Sequence, residues 1–425
     1  MKELIVKILR PIWHEFIPIP VKKRLIPYIN KIFQKRILTR AKQIVFKVGK
    51  LKGNADLKTG PLTVSAFFGE SLGIGRGGHC SFDAFERAGY NPTAHDLRPL
   101  LNTTEPFSHH LPEQAKSGVH FIHCNPPEVL ALIRALHPDS YKNNYRIGFW
   151  AYELPKAPEE WIEVSHFFHE IWVPSSFVKL ALEGAHCPIK VMPHDVLVAI
   201  SAVDPEKGKF SISYDKSTIL LAGDLRSSAT RKNLRGGLEV FKQAFPVAEA
   251  RVELIIKLSE TTSDQAAFLE LENIIANRPD IHLITEDLIY DDMISLINSC
   301  DVFLSPHRSE GFGLMLAEAI ALGKVVLATG WSGNMEFMSC VPEALLPFEL
   351  VPVDDPANVY AEQSEQMWAD VDVVKAGEVL KLAIDSKLDF EPASKRLQEI
   401  SNMWNKSDLQ NMPFSQWVEI VSEKI

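Results

Sequence analysis

The chain has 425 residues, of which 46% are hydrophobic, and its formal net charge is −9. This length suits two or three domains, and the hydrophobic content excludes a mainly disordered chain. The five cysteines are scattered and odd in number, so neither a disulfide framework nor a cysteine-based zinc site is predicted, and a reducing compartment fits.

Residues 1–50 differ from the rest in charge. They hold 13 Lys and Arg against Glu3 and Glu15, a net charge of +11, so the remaining 375 residues carry −20. Prolines interrupt the segment at Pro11, Pro18, Pro20 and Pro27. Because it lacks an apolar run of bilayer length, we expect residues 1–55 to form basic amphipathic helices on an anionic membrane surface. Packing of these helices on the protein itself stays open, whereas nucleic acid is not expected as a partner.

From Gly60 onward, short apolar strands alternate with glycine-bearing loops and helices. Strands are predicted at 62–68, 92–96, 119–124, 146–150, 171–174 and 189–193, and again at 218–222, 251–258, 281–285, 302–305 and 325–329. Such alternation predicts an α/β protein with parallel sheets covered on both faces. We therefore expect two doubly wound, Rossmann-like domains, residues 56–205 and 206–395, followed by C-terminal helices over 396–425.

A glycine-rich segment, residues 73–79, follows the first strand and is predicted to be a loop before a helix at 81–88. Gly75 is its candidate for close approach to a bound phosphate. Asp96 closes a second strand 23 residues after Gly73. Because dinucleotide-binding domains place a glycine loop and an acidic residue in this way, an NAD(P)-dependent Rossmann oxidoreductase remains an alternative.

Polar residues mark the end of the next strand. Strand alternation places His123 and Asn125 on one face and His120 on the other. A histidine that is simply hydrogen-bonded in a cleft wall explains His123 equally well.

A basic loop follows the first strand of the second half and contains Arg226, Arg231 and Lys232. Guanidinium groups, an ammonium group and helix-start N–H groups neutralise a diphosphate, although a solvated basic loop is the alternative. Lys257, at the end of the following strand, is a further candidate for the nucleotide side.

The segment 309–318 carries two glutamates, Glu310 and Glu318, around Gly311, Phe312 and Gly313. The preceding strand and the helix predicted from Leu314 place Glu310 in a strand-to-helix loop and Glu318 about one turn into the helix. The glycines let backbone N–H groups approach a ligand where the helix dipole favours negative charge.

These two glutamates, the Ala-Glu-Ala-Ile-Ala-Leu-Gly run around Glu318 and the sequence Arg231-Lys232-Asn233 resemble retaining group 1 (family 4) glycosyltransferases. The resemblance implies a GT-B fold whose last C-terminal helix crosses back to the first domain. It also implies transfer of a mannose- or glucose-type hexose from a nucleoside diphosphate sugar. Glu318 would bind the ribose, Glu310 with the backbone of 311–314 the donor sugar, and Lys232 with Arg231 or Arg226 the leaving diphosphate. No cofactor or metal is expected.

Residues 148–155 resemble the Trp-x-x-Glu-Leu-Pro segment of mannosyltransferase-like members that assemble bacterial polysaccharides. Trp150, Tyr152, Glu153 and Asn125 would then bind the acceptor and His123 would act near the donor sugar, with core packing as the alternative for Trp150. The implied acceptor is a hydroxyl of a capsular polysaccharide, lipopolysaccharide or lipid-linked glycan, at the cytoplasmic face of a bacterial plasma membrane. A non-catalytic glycan-binding scaffold of the same fold is the other alternative.

Overall fold

The computed structural model describes residues 61–404, apart from gaps at 70–72, 102–106, 114–116, 142, 198–199, 201–202, 358, 361–362, 364 and 387. It also describes Thr39, Lys42, Gln43, Val45 and Phe46. Most of the basic segment 1–55 and residues 405–425 thus lie outside the described residues. Among the described helices, none is both long enough and apolar enough to cross a bilayer.

The first domain is a parallel six-stranded sheet. Its strands are β1 (Leu62–Ala66), β2 (Thr93–Asp96), β3 (Gly118–His123), β4 (Asn144–Phe149), β5 (Glu170–Val173) and β6 (Ile189–Val191). The spatial order is β2-β1-β3-β4-β5-β6. The connecting helices are α1 (Gly73–Arg87), α2 (Arg98–Leu101), α3 (Pro126–Ala135), α4 (Glu159–Val164) and α5 (Ser176–Ala181). β1 and β3 are buried along their whole lengths, as expected for strands covered on both faces.

The second domain repeats this architecture. Its strands are β7 (Ser217–Asp224), β8 (Val252–Ser259), β9 (Ile281–Ile284), β10 (Val302–Ser305), β11 (Val325–Thr329) and β12 (Leu345–Leu346). Their order, β12-β11-β10-β7-β8-β9, is the doubly wound order of dinucleotide-binding domains. The helices are α6 (Ala229–Lys232), α7 (Leu234–Ala244), α8 (Gln265–Ile275), α9 (Tyr290–Ser299), α10 (Leu314–Ala321) and α11 (Met335–Met338). Two Rossmann-like domains arranged in this way constitute a GT-B fold.

An antiparallel hairpin that the sequence did not predict follows β12. Its strands are β13 (Phe348–Pro352) and β14 (Met367–Val371). The connection between them carries Tyr360, which packs with Trp368 into a core cluster of the first domain. The hairpin therefore leaves the second domain and covers part of the first.

The chain ends, within the described residues, with α12 (Val373–Asp385) and α13 (Glu391–Trp404). The Trp404 ring packs edge-on against Phe85 and Trp172 of the first domain. Its indole Nε1 donates to the Pro193 carbonyl at 2.9 Å. The last described helix therefore returns to the first domain, while the amphipathic stretch 410–425 lies outside the described residues.

The glycine-rich segment is not a loop, contrary to the sequence-based expectation. It forms the first turns of α1, and the reason is packing. A Cβ on Gly78 would lie 2.5 Å from Ala66 Cβ on β1, and one on Gly77 would lie 2.7 Å from His123 Nε2. These glycines let α1 pack directly on β1 and β3. The close packing compensates for the roughly 0.5–1 kcal/mol that each glycine costs in a helix.

Candidate active site

A cavity of about 620 Å³ lies between the two domains. It opens at the carboxyl ends of β1 and β3 on one side and of β7 and β10 on the other. In each sheet these are the neighbouring strands from which the chain winds in opposite directions. Ligands of open α/β sheets bind at such switch points. The cavity is therefore the candidate active site.

Glu310 occupies the second-domain wall of the cavity with two cations. Its Oε1 accepts a hydrogen bond from Lys232 Nζ at 2.5 Å and lies 3.2 Å from Arg231 Nη1. Burial by itself would raise the pKa of Glu310, but Lys232 and Arg231 lower it to about 2. The carboxylate is ionised at any physiological pH, so it can accept hydrogen bonds from sugar hydroxyls but cannot act as an acid.

Arg231 also ties two loops together. Its Nη1 donates to the Ser309 carbonyl at 2.8 Å, and its side chain is buried. Ser228 caps α6 by accepting from the Arg231 N–H. The basic loop after β7 and the glutamate loop after β10 are thus held as one unit, which fixes Lys232 next to Glu310.

The two glycines around Phe312 have different structural reasons. Gly313 precedes α10 with φ of +93°, a left-handed conformation that favours glycine. A Cβ on Gly311 would lie 3.3 Å from the Tyr152 carbonyl of the first domain. The Gly311 carbonyl accepts from Ser175 Oγ at 2.7 Å. The loop that holds Glu310 is therefore also a point of contact between the domains.

Glu318 lines the cavity with its carboxylate already paired. Its Oε1 accepts from Arg76 Nε at 2.9 Å and from the Tyr290 hydroxyl at 2.9 Å. Burial raises the pKa of Glu318, and Arg76 opposes that rise. Arg76 belongs to α1 of the first domain, so this ion pair crosses the cleft.

The other predicted donor-side cations line the cavity as well. Arg226 is half-exposed and pairs with Asp224 at 3.0 Å and Glu260 at 3.4 Å. Lys257 donates to the Leu258 carbonyl at 2.7 Å, and burial lowers its pKa. Arg226 is thus held by two carboxylates, and Lys257 by its own strand end.

Two histidines form part of the first-domain wall. His123 lies 3.0 Å from Ser81 Oγ and stacks on Phe149, and His194 stacks beside it. Burial lowers the pKa of both rings, that of His194 to about 3. Both are neutral at physiological pH and can exchange hydrogen bonds with a neutral sugar. His120 is buried against Ser65 instead, away from the cavity, in agreement with strand alternation.

The structure does not bring Trp150, Tyr152 and Gly75 to the cavity lining. Trp150 is fully buried against Phe168 and Trp161, and Tyr152 packs on Trp161. These rings present no free face to a sugar, because core packing takes up their apolar surface. Gly75 is buried within α1, since the predicted loop is helical there.

Glu153 and Asn125 do line the cavity. The Tyr360 hydroxyl, on the connection between β13 and β14, donates to Glu153 at 3.1 Å. Asn125 Oδ1 accepts from the Ala151 N–H at 3.0 Å, which positions the segment that carries Glu153. Glu153 thus presents a carboxylate on the first-domain side of the cavity, and Asn125 supports the segment that carries it.

The lining residues that the sequence did not predict include four with titratable side chains, namely Arg76, Glu128, His194 and Tyr290. Arg76 stands alone among glycines and was placed in a loop. His194 follows β6, and a polar residue just after a parallel strand is a usable signal for a site. Tyr290 and Glu128 lie in the first turns of helices and carry no local signal.

Comparisons with known proteins agree with this architecture. Residues 216–370 match the family model described as glycosyl transferases group 1. No curated protein matches the sequence significantly. The chain superposes on Anabaena Alr3699/HepE in complex with UDP-glucose with a TM-score of 0.55 and 12% identity, covering 85% of this chain and 99% of that one. Superposition on a UDP-forming α,α-trehalose-phosphate synthase from Burkholderia xenovorans gives a TM-score of 0.47 and 14% sequence identity, and it covers 72% of each chain.

The family match spans the basic loop, Glu310 and Glu318, that is, the second-domain wall of the cavity. The protein therefore has a GT-B fold with a second domain that matches the glycosyl transferases group 1 model, and it is a transferase enzyme.

Proposed function

We propose that this protein is a retaining glycosyltransferase that moves a hexose from a nucleoside diphosphate sugar to a hydroxyl of a growing glycan. The observation that carries the proposal is the Lys232–Glu310–Arg231 cluster at the switch point of the second domain. It places fixed cations and a permanently ionised carboxylate side by side in a cavity closed by both domains.

The donor would bind with its diphosphate at the basic loop. Lys232, Arg231 and Arg226 would neutralise the charge that builds on the leaving diphosphate, which is the largest electrostatic contribution expected in such a site. The Anabaena protein of similar fold forms a complex with UDP-glucose, which supports a nucleotide-sugar donor and makes UDP the first nucleotide to test. No metal requirement is proposed, because these cations supply the needed charge.

The donor sugar would lie between Glu310 and the two neutral histidines. Glu310 and the N–H groups at the start of α10 would hold its hydroxyls, and His123 would contact it from the first domain. Since Glu310 is engaged by Lys232, we propose a same-face route rather than attack by this carboxylate. The bond from C1 to the diphosphate oxygen breaks, the acceptor oxygen bonds to C1 on the same face, and a diphosphate oxygen takes the acceptor proton.

The acceptor would approach on the side of Glu153, whose carboxylate Tyr360 orients. By resemblance to polysaccharide-assembly members, we propose a surface polysaccharide or lipid-linked glycan as acceptor. The basic residues 1–50 would hold the enzyme at an anionic membrane where such acceptors are made.

A thermal-shift screen with UDP, GDP, ADP and CMP tests the donor class, followed by the sugar nucleotides of the stabilising base. One nucleoside diphosphate should raise the melting temperature, because a ligand that binds the folded state stabilises it. Lys242→Ala, on the exposed face of α7, should respond like the wild type. Absence of stabilisation by every nucleotide would contradict the proposal.

A further inference from the structure

Arg76 is a buried cation with an unused donor. It is only 8% exposed, and its Nη2 has no hydrogen-bond partner among the described residues. Its Nε is used by Glu318, and its guanidinium lies over the Tyr290 ring at 4.1 Å. A buried charged donor left unpaired costs about 1–3 kcal/mol or more. Arg76 as a residue also lines the cavity, so a ligand oxygen that reaches its guanidinium would find hydrogen-bond donors that the protein leaves unused.

Glu318 presents the complementary half of the same arrangement. Both of its hydrogen bonds from Arg76 and Tyr290 fall on Oε1. The two donors come from different domains, because Arg76 lies on α1 of the first domain and Tyr290 lies at the start of α9 of the second. The guanidinium and the carboxylate therefore meet at the cavity wall as a donor beside an acceptor.

A hydroxyl group fits such a pair because it accepts one hydrogen bond and donates another. A phosphate oxygen would be repelled by Glu318, and a purely apolar group would leave the Arg76 donor unpaired. The cavity near Tyr290 is also lined by Leu288, Met293 and Met315, which suit the flat faces of a nucleoside.

We infer that Arg76, from the first domain, is a nucleoside-binding residue whose guanidinium donates a hydrogen bond to a ribose hydroxyl held by Glu318. The inference rests on the proposed nucleoside diphosphate donor and deepens it. It makes the ribose subsite a product of both domains. Tyr290 acts as a positioning residue, because its hydroxyl holds the Glu318 carboxylate and its ring supports the Arg76 guanidinium.

The test is calorimetric titration of the full chain with UDP, 2′-deoxy-UDP and 3′-deoxy-UDP, or the GDP series if GDP binds more tightly. The wild type should prefer the ribonucleotide to one of the deoxy forms by about tenfold, the value of one hydrogen bond to a charged group. Arg76→Gln should bind the ribonucleotide about tenfold more weakly and lose most of that preference. Arg251→Gln removes an exposed guanidinium remote from the cavity and should change neither.

Arg76→Lys provides the second variant if Arg76→Gln does not fold. It keeps the charge, but a single ammonium cannot both pair with Glu318 and reach the ribose as a guanidinium fork does, so the preference should again fall. Equal weakening of ribonucleotide and deoxynucleotide binding would reduce Arg76 to a structural role and overturn the inference. Failure of the wild type to bind any of these nucleotides would instead contradict the proposed function, and the inference with it.

Discussion

At Glu310, two cations decide the protonation state of a partly buried carboxylate. Its pKa is about 2 against an ordinary value of 4.5 because Lys232 and Arg231 outweigh burial. A group whose pKa is depressed by folding stabilises the protein above its unfolded-state pKa, and this contribution disappears as pH falls through the folded-state value. Glu310 therefore stabilises the fold fully above about pH 4.5, and progressively less towards pH 2.

Glu310→Gln tests this charge state. The free energy of unfolding of the wild type, relative to that of the variant, should decline between about pH 6 and about pH 3.5. Over this range the unfolded wild type takes up a proton at Glu310 that the folded wild type does not, whereas the glutamine of the variant takes up none in either state. Urea unfolding of both proteins at the two pH values measures the difference. A difference that stays constant would mean that Lys232 and Arg231 do not hold Glu310 ionised.

Lys232→Ala should lower kcat by about 10²–10³, because a cation beside the leaving diphosphate acts mainly in the transition state. Steady-state kinetics with the sugar nucleotide identified by the screen provide the measurement. Lys242→Ala, which removes an exposed lysine that pairs only within its own helix among the described contacts, is the matched control. Near-normal turnover of Lys232→Ala would remove the diphosphate assignment.

The sequence could predict the site residues whose signal is local. Glu310, Glu318 and Lys232 stand in short motifs after strands, where backbone topology alone places them at a sheet edge. Arg76 could not be predicted in its role, because its partner Glu318 is 242 residues away along the chain. Trp150 and Tyr152 were expected to face a sugar. The local sequence around an aromatic residue next to a strand end is the same whether the ring faces a cleft or a core, so it could not decide between the two.

At the scale of the elements, α1 shows that a glycine-rich sequence does not decide between a loop and a helix. A run of glycines after a first strand predicts either a phosphate loop or a closely packed helix. Here the helix forms because Gly77 and Gly78 lie against His123 and Ala66, and this helical path removes the loop on which the dinucleotide-binding alternative depended. The β13–β14 hairpin escaped prediction because β13 is partly exposed and lacks regular alternation.

Two glycine substitutions in α1 separate packing from helix propensity. Gly78→Ala should destabilise the protein by about 1–3 kcal/mol, because its Cβ would collide with Ala66 Cβ. Gly73→Ala in the same helix meets nothing within 4 Å and should be neutral or stabilising by up to about 1 kcal/mol. Urea unfolding compares the two, and similar effects at both positions would contradict the packing account.

On the scale of the whole molecule, the two sheets bring their switch points to one cavity. The alternation of strands and helices made this architecture predictable, since parallel strands leave few topologies open. The contacts that join the domains were harder to predict, because the resemblance implied only the return of a last helix to the first domain and not the β13–β14 hairpin. The hairpin and α13 both cross from the second domain to the first, and they depend on single aromatic residues such as Trp368 and Trp404.

The basic segment 1–50 makes a prediction about membranes that rests on charge alone. Deleting residues 2–40 should release the enzyme from vesicles containing anionic lipid while leaving activity on a soluble acceptor unchanged. Vesicle flotation with and without anionic lipid measures this. If the shortened protein still binds the anionic vesicles, another surface holds the membrane.

The central claim is transfer with retention from a nucleoside diphosphate sugar, and the anomeric configuration of the first product tests it most directly. Incubation of the enzyme with an α-linked sugar nucleotide and an accepting glycoside, followed by NMR of the purified product, should give an α-linkage. A β-linked product would contradict the same-face route derived from the Lys232–Glu310 pair.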